Sequence, residues 1–583
     1  MKVRGVLFPM KNLRICLAQI NPIVGDLKGN SKKIISFIGE ARNRKADIVV
    51  FPELCLSGYP PEDLLLKPHF IRDNETELNK IIRASKSIFS IVGFPYLDKG
   101  RLFNAAAMIN NGRLVDVYKK VFLPNYGVFD EKRYFTNGET CNVVDFGSEF
   151  RIGVNICEDI WHADGPQRIQ ALQGGARAII NISASPYHSG KIEEREVELS
   201  RRAKENHAYI FYCNLTGAQD ELVFDGGSLV FDNKGRLLAR AKQFSEDLLS
   251  VDLSLDYLKF ALPIKRKACT CLPISSLKVS SLPEIKEKEW ISTENRIEDK
   301  LKLPDEIYSA LVMGAKDYVL KNNFKKVVLG LSGGIDSALT AVLAVDALGK
   351  DNVIALTMPS EFSSAGTKND AKEVAKRLGI KLISVPIGNI YKKYLSSLKN
   401  PFKGYKLNIT EENIQARIRG NLLMAFSNKF GWLVLTTGNK SEISTGYCTL
   451  YGDMAGGFAV LKDVPKGLVY ELSRFRNTQG KKAVIPESVF TRPPTAELRK
   501  GQKDQDTLPP YPLLDKIIDL YIEKDMSLEE IVKKGLNRKI VTKVVSMIDG
   551  NEYKRRQAPP GIKITPKAFG RDRRMPITNH FRG

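Results

Sequence analysis

The run from Lys325 to Gly349, KKVVLGLSGGIDSALTAVLAVDALG, limits the fold of this chain more than any other stretch. Val327 to Leu331 is continuously apolar and bounded by glycines, the pattern of a strand buried on both faces. The Ala-, Leu- and Val-rich run after Ser337 predicts a helix packed hard on the sheet. Strand, glycine turn and helix in succession form an α/β layer, and a helix N-terminus at such a turn binds anions. Gly333 and Gly334 carry no Cβ, so backbone N–H groups can close around a phosphate. Ser332 and Ser337 add hydroxyls, and Asp336 adds a hard oxygen ligand suited to Mg²⁺. A Walker A loop is excluded, because no Lys follows the glycines. Gly330 to Gly334 also spells G-x-S-x-G, the nucleophile elbow, which needs an acid and then a His downstream; His580, in a basic tail, is the one His after Ser332. A glycine turn without a ligand is the plainer alternative. It leaves two hydroxyls and a carboxylate at one helix start unexplained.

At 583 residues the chain exceeds one core, and two to four domains are expected. No apolar run reaches the ~20 residues of a membrane helix. The opening MKVRGVLFPMKNLR has too short an apolar core for a signal peptide, with Met1 or Met10 as the start. Eight scattered cysteines fit reduced thiols, and Cys269-Thr-Cys271 has no nearby His to make a metal site. The expectation is a cytoplasmic chain without a membrane partner. The net charge of +23 suits nucleic acid, an acidic surface or polyanionic small substrates. With no arginine-rich arm and no RNP-type run, nucleic acid is not expected, and a solubilising surface with some phosphate-binding lysines is the plainer reading.

From Leu13 to about Leu255, short β-like runs such as RICLAQI, ADIVVFPEL, SIVGFPYL, RIGVNICEDI, ARAIINIS and AYIFYCNL alternate with helical stretches at Asn30–Asn43 and Ile192–Asn206. Three residues along this half carry chemistry. Glu53 follows VVFP, Lys120 lies in VYKKVFLPNYGVFDEKRYF, and Cys157 ends the strand IGVNI ahead of two acids. Singly, each has a plainer reading as a cap, a surface charge or a small buried hydrophobe. Together they supply a thiol nucleophile, a carboxylate base and a fixed positive charge for an oxyanion. A Cys–His pair using His162, His188 or His207 is the alternative.

FPELCLSGYP, the KxxLPNYxVFDEKRYF segment and GVNICEDIW resemble the Glu-Lys-Cys motifs of the nitrilase (carbon–nitrogen hydrolase) superfamily. The resemblance implies that Glu53 is general base, Lys120 stabilises the oxyanion, and Cys157 attacks an amide carbonyl. NISASPYHSGK is similar to the substrate segment of glutamine-using members, implying glutamine contacts at Ser185 and Lys191, with Tyr126 of LPNY as a third.

Residues 256–297 lose periodicity and are rich in Pro, Ser and Lys, which predicts an ordered, irregular linker between a domain at 12–255 and one at 298–583. In the second domain, helices are predicted at Asp305–Asn322, Ser364–Leu378 and Thr410–Asn428, with strands at NVIALTMPS, KLISVPI and Trp432–Leu435. On the Thr410–Asn428 helix, Ile414, Ile418, Leu422 and Phe426 share an apolar face, and Asn413, Arg417 and Asn421 share another that can address a ligand. The turn TTGNKSE lies where open α/β sheets bind ligands, and an N-cap at Asn439 or Ser441 is its plainer role.

SGGIDS is similar to the pyrophosphate loop of ATP pyrophosphatases, which adenylate a carbonyl or carboxyl oxygen. With NIQARIRGNLLMAFSN, LTTGNKSE, TLYGDMAGGFAVLKDVPK and YKRRQAPPGIKIT, the second half resembles the NAD⁺ synthetases, and the two halves together resemble the glutamine-dependent members of that family. The implied fold is α/β: an N-terminal nitrilase-like αββα sandwich, then a doubly wound parallel-sheet ATP pyrophosphatase domain. The implied activity is amidation of deamido-NAD⁺ to NAD⁺, with ATP and glutamine as co-substrates, Mg²⁺ as cofactor, and ammonia channelled between the halves. The resemblance implies ATP contacts at Gly330, Leu331, Ser332, Gly333, Gly334, Ile335, Asp336, Ser337 and Thr437. It implies deamido-NAD⁺ contacts at Asn413, Glu442 and Lys554, and metal ligands at Asp336 and Glu442. Asp463, Arg474 and Thr495 match further substrate or ATP positions. It also implies a homo-oligomer, a dimer through the second domain or an octamer. Two rivals are a different pyrophosphatase fused to an amidase, such as a tRNA-modifying enzyme, and a regulatory nucleotide-binding protein with dead sites.

Overall fold

The apolar run at Val327 becomes the strand Val327–Gly330, the middle of a five-stranded sheet. The computed structural model describes residues 12–147, 150–254, 276–282, 295–480 and 482–581. Met1, Met10, Cys269, Cys271 and most of the 256–297 segment lie outside the described residues. The chain divides into two compact units that part between Leu301 and Lys302, with Asp220–Val223 grouped in the second.

The first unit holds two large sheets. One has the order Asp247–Ser254, Asn12–Gln19, Ile48–Val50, Phe89–Asp98, Arg101–Asn110, Arg113–Lys119. The other runs Leu237–Arg240, Leu229–Phe231, Tyr209–Asn214, Ala178–Ser183, Arg151–Ile156, Thr140–Asp145, Ser276–Ser281. Period-two alternation decides which side chains meet. Leu13, Ile15 and Leu17 of the first sheet share one core with Ile152, Val154, Ile156 and Ile180 of the second. Cys16 and Ala18 face the opposite way, onto Ile34, Ile38, Leu78 and Ile81 of the helices Leu27–Asn43 and Pro68–Ala84. The outer face of the second sheet buries Ile179, Ile210 and Tyr212 against Ile192, Leu199 and Ala203 of the helix Lys191–Asn206. The layers are helix, sheet, sheet and helix, the αββα sandwich expected from the sequence.

One strand lies inside the stretch read as an irregular linker. Ser276–Ser281 pairs in parallel with Thr140–Asp145 at the sheet edge. Its polar sequence SLKVSS hides it, because an edge strand needs only one partner and little burial. Asp116 holds it in place, accepting from Lys278 Nζ at 2.6 Å and from Ser280 Oγ at 2.8 Å.

In the second unit all five strands are parallel, in the order Lys381–Ser384, Val353–Thr357, Val327–Gly330, Leu433–Thr436, Phe458–Ala459. The order runs outward to both sides of the first strand, so the sheet is doubly wound. Val328, Ile354, Leu356 and Val434 face Ile414, Ile418 and Leu423 of the helix Ile409–Phe430. Leu422 and Phe426 pack at the rim of the same cluster, as the four-residue spacing predicts. Val327 and Leu329 point the other way and are also fully buried. A separate helical core joins Leu514, Ile517, Val541, Val544 and Ile548 with Phe569. Among the described residues no helix is long and apolar enough to cross a membrane.

Candidate functional site

Three strand ends of the first unit meet in its interior. Glu53 follows Ile48–Val50, Lys120 directly follows Arg113–Lys119, and Cys157 opens the short turn Cys157–Trp161 after Arg151–Ile156. Glu53 and Lys120 are 0% exposed and Cys157 is 4% exposed. Lys120 Nζ lies 2.6 Å from Glu53 Oε1 and 2.9 and 3.0 Å from the two oxygens of Glu131. Asn104 Nδ2 donates to Glu53 Oε1 at 2.7 Å and to Glu131 Oε2 at 3.3 Å. The Ala184 N–H donates to Glu53 Oε2 at 2.9 Å, and the Tyr59 hydroxyl to Glu131 Oε1 at 3.1 Å.

The electrostatics follow from burial. Desolvation opposes the Lys120 charge, yet Glu131 and Glu53 outweigh it and hold the ammonium well above its ordinary range. Desolvation, then Glu53, pushes the Cys157 thiol well up, against the pull of Lys120. The thiol therefore rests protonated and needs a base when it attacks. Cys157 also has φ +43°, a left-handed backbone that side chains with a Cβ rarely adopt.

Glu131 and Asn104 carry no signal of this role in the sequence. Asp130, Lys132 and Arg133 surround Glu131, so nothing local marks it. Burial pushes its carboxyl up to about 7, with Lys120 pulling it down. Replacing Lys120 by methionine strands two buried carboxylates and is expected to cost about 3–5 kcal/mol of stability. Without the lysine, the Glu131 carboxyl rises further above its unfolded value of 4.5. A carboxyl raised in the folded state favours folding below its unfolded value and loses that contribution as pH rises through the folded one. Thermal melts should therefore show a deficit against wild type that widens as pH rises above about 7, where the wild-type carboxyl has ionised and the variant's has not. A deficit constant with pH would contradict this account.

The glutamine-contact candidates lie around the Cys157 turn. The Tyr126 hydroxyl donates to Glu158 Oε2 at 2.8 Å, and its ring is 59% exposed. Lys191 Nζ sits 4.6 Å over the Trp161 ring and 2.8 Å from Glu194. Ser185 is buried, its N–H donating to Asn214 Oδ1 at 3.1 Å and its carbonyl accepting from Arg195 Nη2 at 3.0 Å. Arg195 is itself fixed by Asp225 at 2.7 Å. The histidines are engaged elsewhere. His162 stacks on Phe122 and faces Glu158, His188 faces Ser189 O and Glu194, and His207 ends a helix.

In the second unit, a cavity of about 690 Å³ opens at the carboxyl ends of the strands, lined by Gly330 to Ser337, Thr437, Asn413, Glu442, Thr495 and Lys554 among others. Gly333 has φ +87°, and a Cβ there would lie 2.1 Å from Thr367 O, so only glycine fits. Ser332 and Ser337 close the loop through Oγ···Oγ at 3.0 Å and through Ser337 Oγ to Gly334 O at 2.9 Å. Asp336 stands in the first turn of Ile335–Leu348, where the helix dipole favours negative charge. Its Oδ1 accepts from Asn439 Nδ2 at 2.8 Å, and its Oδ2 pairs with Lys466 Nζ. Asn439 is also the N-cap of Lys440–Thr445, accepting from the Glu442 N–H at 3.0 Å, so the capping and site readings of this turn coincide.

Lys466 Nζ lies 3.5 Å from Glu442, so one ammonium serves two carboxylates. Burial pushes the Glu442 carboxyl up to about 8, against the pull of Lys466. Asn413 accepts from Thr449 Oγ1 at 2.8 Å, and Lys554 Nζ donates to Gly446 O and Cys448 O at 2.7 and 3.0 Å. Thr495 Oγ1 donates to Gln502 O at 2.6 Å. Three sequence candidates stand outside the lining. Asn421 is exposed on the helix that carries Asn413 and Arg417. Asp463 is buried as a structural tie, 2.9 Å from Lys440 Nζ and accepting the N–H groups of Ile564 and Thr565 at 2.8 Å. Arg474 lies 4.6 Å over the Phe490 ring and is largely exposed. Lys466 ends the run KDVPK, where nothing local marks its role.

Residues 14–261 match the carbon-nitrogen hydrolase family model, and residues 307–558 the NAD synthase model. The chain is 50% identical to a glutamine-dependent NAD(+) synthetase of Thermotoga maritima, over 98% of this chain and 100% of that protein. It is 49% identical to one of Aquifex aeolicus, with the same coverage. A solved glutamine-dependent NAD+ synthetase from Acinetobacter baumannii, in complex with ADP, matches with TM-score 0.74 at 40% identity, over 98% of this chain and 99% of that one. One from Cytophaga hutchinsonii matches in fold with TM-score 0.79 at 23% identity, over 97% and 98%. With both enzyme modules in one chain and full-length identity of this order, the chain belongs to the glutamine-dependent NAD⁺ synthetase family.

Proposed function

We propose that this chain amidates deamido-NAD⁺ to NAD⁺, taking the nitrogen from glutamine and releasing AMP, pyrophosphate and glutamate. One observation carries the reading: a single chain holds a buried Glu53–Lys120–Cys157 cluster and a phosphate-sized loop over a cavity at a parallel sheet's carboxyl edge. At the first site Glu53 takes the proton of the Cys157 thiol as the sulfur attacks the glutamine side-chain amide carbon. Lys120 stabilises the oxyanion, and Glu53 returns the proton as ammonia leaves. Water, activated by Glu53, then cleaves the thioester to glutamate. Tyr126, Ser185 and Lys191 hold the substrate; the Lys191 ammonium suits its α-carboxylate.

At the second site the nicotinate carboxylate attacks the α-phosphorus of ATP, and the loop from Gly330 to Ser337 receives the departing pyrophosphate on its N–H and hydroxyl groups. Ammonia displaces AMP from the acyl adenylate. Thr437 serves ATP, and Asn413 and Lys554 serve deamido-NAD⁺. Two carboxylates beside a phosphate loop are the donor set Mg²⁺ takes when substrate phosphates complete its shell, so Asp336 and Glu442 would hold it. When bound, Mg²⁺ supplies charge neutralisation at the phosphates. Lys466 adds a fixed positive charge at the same place. Free thiols at Cys16, Cys55, Cys141, Cys157, Cys213 and Cys448 support a reducing, cytoplasmic setting. Exposed Tyr405, Leu407 and Ile409 support self-association through the second unit, as a dimer or an octamer.

Product analysis tests the reading. Purified protein with ATP, deamido-NAD⁺ and glutamine is expected to yield NAD⁺, AMP, pyrophosphate and glutamate in equal amounts. Oxygen-18 placed in the nicotinate carboxylate should appear in AMP, because that oxygen leaves with the adenylate. ADP as product, or label in orthophosphate, overturns it.

A further inference from the structure

Asp159 takes no part in the steps above, yet the turn that begins with Cys157 hangs on it. Its side chain is fully buried. Oδ2 accepts from the Ile156 N–H at 3.0 Å and from the Tyr118 hydroxyl at 2.7 Å. Oδ1 accepts from the N–H groups of Val121 at 3.2 Å and Phe122 at 2.8 Å. Ile156 immediately precedes the nucleophile, while Tyr118, Val121 and Phe122 bracket Lys120. A single carboxylate thus holds the two segments that deliver the thiol and the ammonium, 37 positions apart in sequence. Cys157 needs an anchor of this kind, because its left-handed φ of +43° is unfavourable for a residue with a Cβ. The far end of the turn is closed as well, Arg202 donating to Ile160 O at 3.0 Å and to Trp161 O at 2.8 Å.

We propose that Asp159 is a positioning residue of the glutaminase half-reaction, fixing the spacing between the Cys157 sulfur and the Lys120 ammonium while bonding to neither. The proposal rests on the glutaminase reading given above. All four partners of Asp159 are donors, so the position calls for a group that only accepts. Burial pushes its carboxyl up to about 6, and the Phe122, Ile156 and Tyr118 donors hold it down, in keeping with a charge stabilised by hydrogen bonds. An amide there loses at least one of the four bonds, because its NH₂ meets either the Val121 and Phe122 N–H groups or, with the Tyr118 hydroxyl turned to accept, the Ile156 N–H, and the two segments can drift.

The test uses the full-length protein and the variants Asp159→Asn and Tyr118→Phe. Asp159→Asn is expected to lower kcat for glutamine hydrolysis by about 10²-fold, since ångström-scale misplacement costs that much, with KM for glutamine within about threefold. Ammonium-driven NAD⁺ formation should stay within about twofold of wild type. Tyr118→Phe removes one donor of four and is expected to lower kcat by about three- to tenfold and to move the alkylation profile less than Asp159→Asn does. A structural role alone would leave the pH profile of Cys157 alkylation by iodoacetamide unchanged in folded protein; the proposal requires the profile to move in Asp159→Asn. Wild-type kcat and an unmoved profile in folded Asp159→Asn overturn the inference. Should that variant not fold, an unmoved kcat and alkylation profile in Tyr118→Phe overturn it equally. A wild-type protein that hydrolyses no glutamine overturns the underlying reading instead, a result separate from both.

Discussion

Replacing Cys157 by alanine is expected to abolish glutamine-driven NAD⁺ formation, by roughly 10⁴-fold or more, and to leave ammonium-driven formation within about twofold of wild type. The thiol alone forms the covalent intermediate, and no neighbouring group can replace it. The protein should still fold. Lys120 is bonded to Glu53 and Glu131, and Asn104 to both carboxylates, so the charged network closes without the sulfur. The comparison is NAD⁺ produced with glutamine against NAD⁺ produced with an ammonium salt, alongside a thermal melt. Loss of both activities in a folded variant would count against two separate sites.

Asp336→Ala is expected to remove synthesis with either nitrogen source, by about 10²–10³-fold, the scale seen when a charge-stabilising group is lost. Asp336 organises more than its own charge. Without it Asn439 Nδ2 loses its acceptor, and among the described residues Glu442, at 3.5 Å, is the carboxylate left to Lys466. Cys157 chemistry is untouched, so glutamine hydrolysis should persist. Exchange of labelled pyrophosphate into ATP in the presence of deamido-NAD⁺ reads the adenylation step directly. Full exchange in Asp336→Ala would remove this residue from the nucleotide site.

How much the sequence disclosed depends on whether a role is local. Gly333 could be read because a left-handed turn between an apolar strand and a helix leaves few choices, and the contact with Thr367 O agrees. Glu53, Lys120 and Cys157 sit at strand ends inside long matching motifs, and the structure brings the three segments together. Glu131, Asn104 and Lys466 could not be read this way. Each looks ordinary in its own neighbourhood, and its role arises from burial against residues far off in the chain. Asp159 lies in the motif GVNICEDIW, but three of its four donors come from Tyr118, Val121 and Phe122, which only the folded sandwich brings to it. Asn421 failed for a geometric reason. Steps of four residues drift about 40° on a 3.6-residue helix, so Asn421 has turned about 80° away from Asn413. Asp463 and Arg474 show that matched positions need not reach a cavity: one is consumed by Lys440 and two backbone N–H groups, the other lies out over Phe490. The strand Ser276–Ser281 escaped notice because its partner supplies the order that its own composition lacks.

The arrangement around Lys120 also bears on how such a chain can evolve. Lys120 neutralises two carboxylates that have no water to turn to, whereas the Cys157 sulfur stands outside that ionic network. A lineage that came to live on free ammonia would feel no folding penalty for losing the thiol, and a severe one for losing the lysine. Descendants abandoning glutamine should therefore shed the cysteine early and carry Glu53, Lys120 and Glu131 onward as a fossil of the old chemistry. The surviving ion cluster would then record ancestry rather than activity.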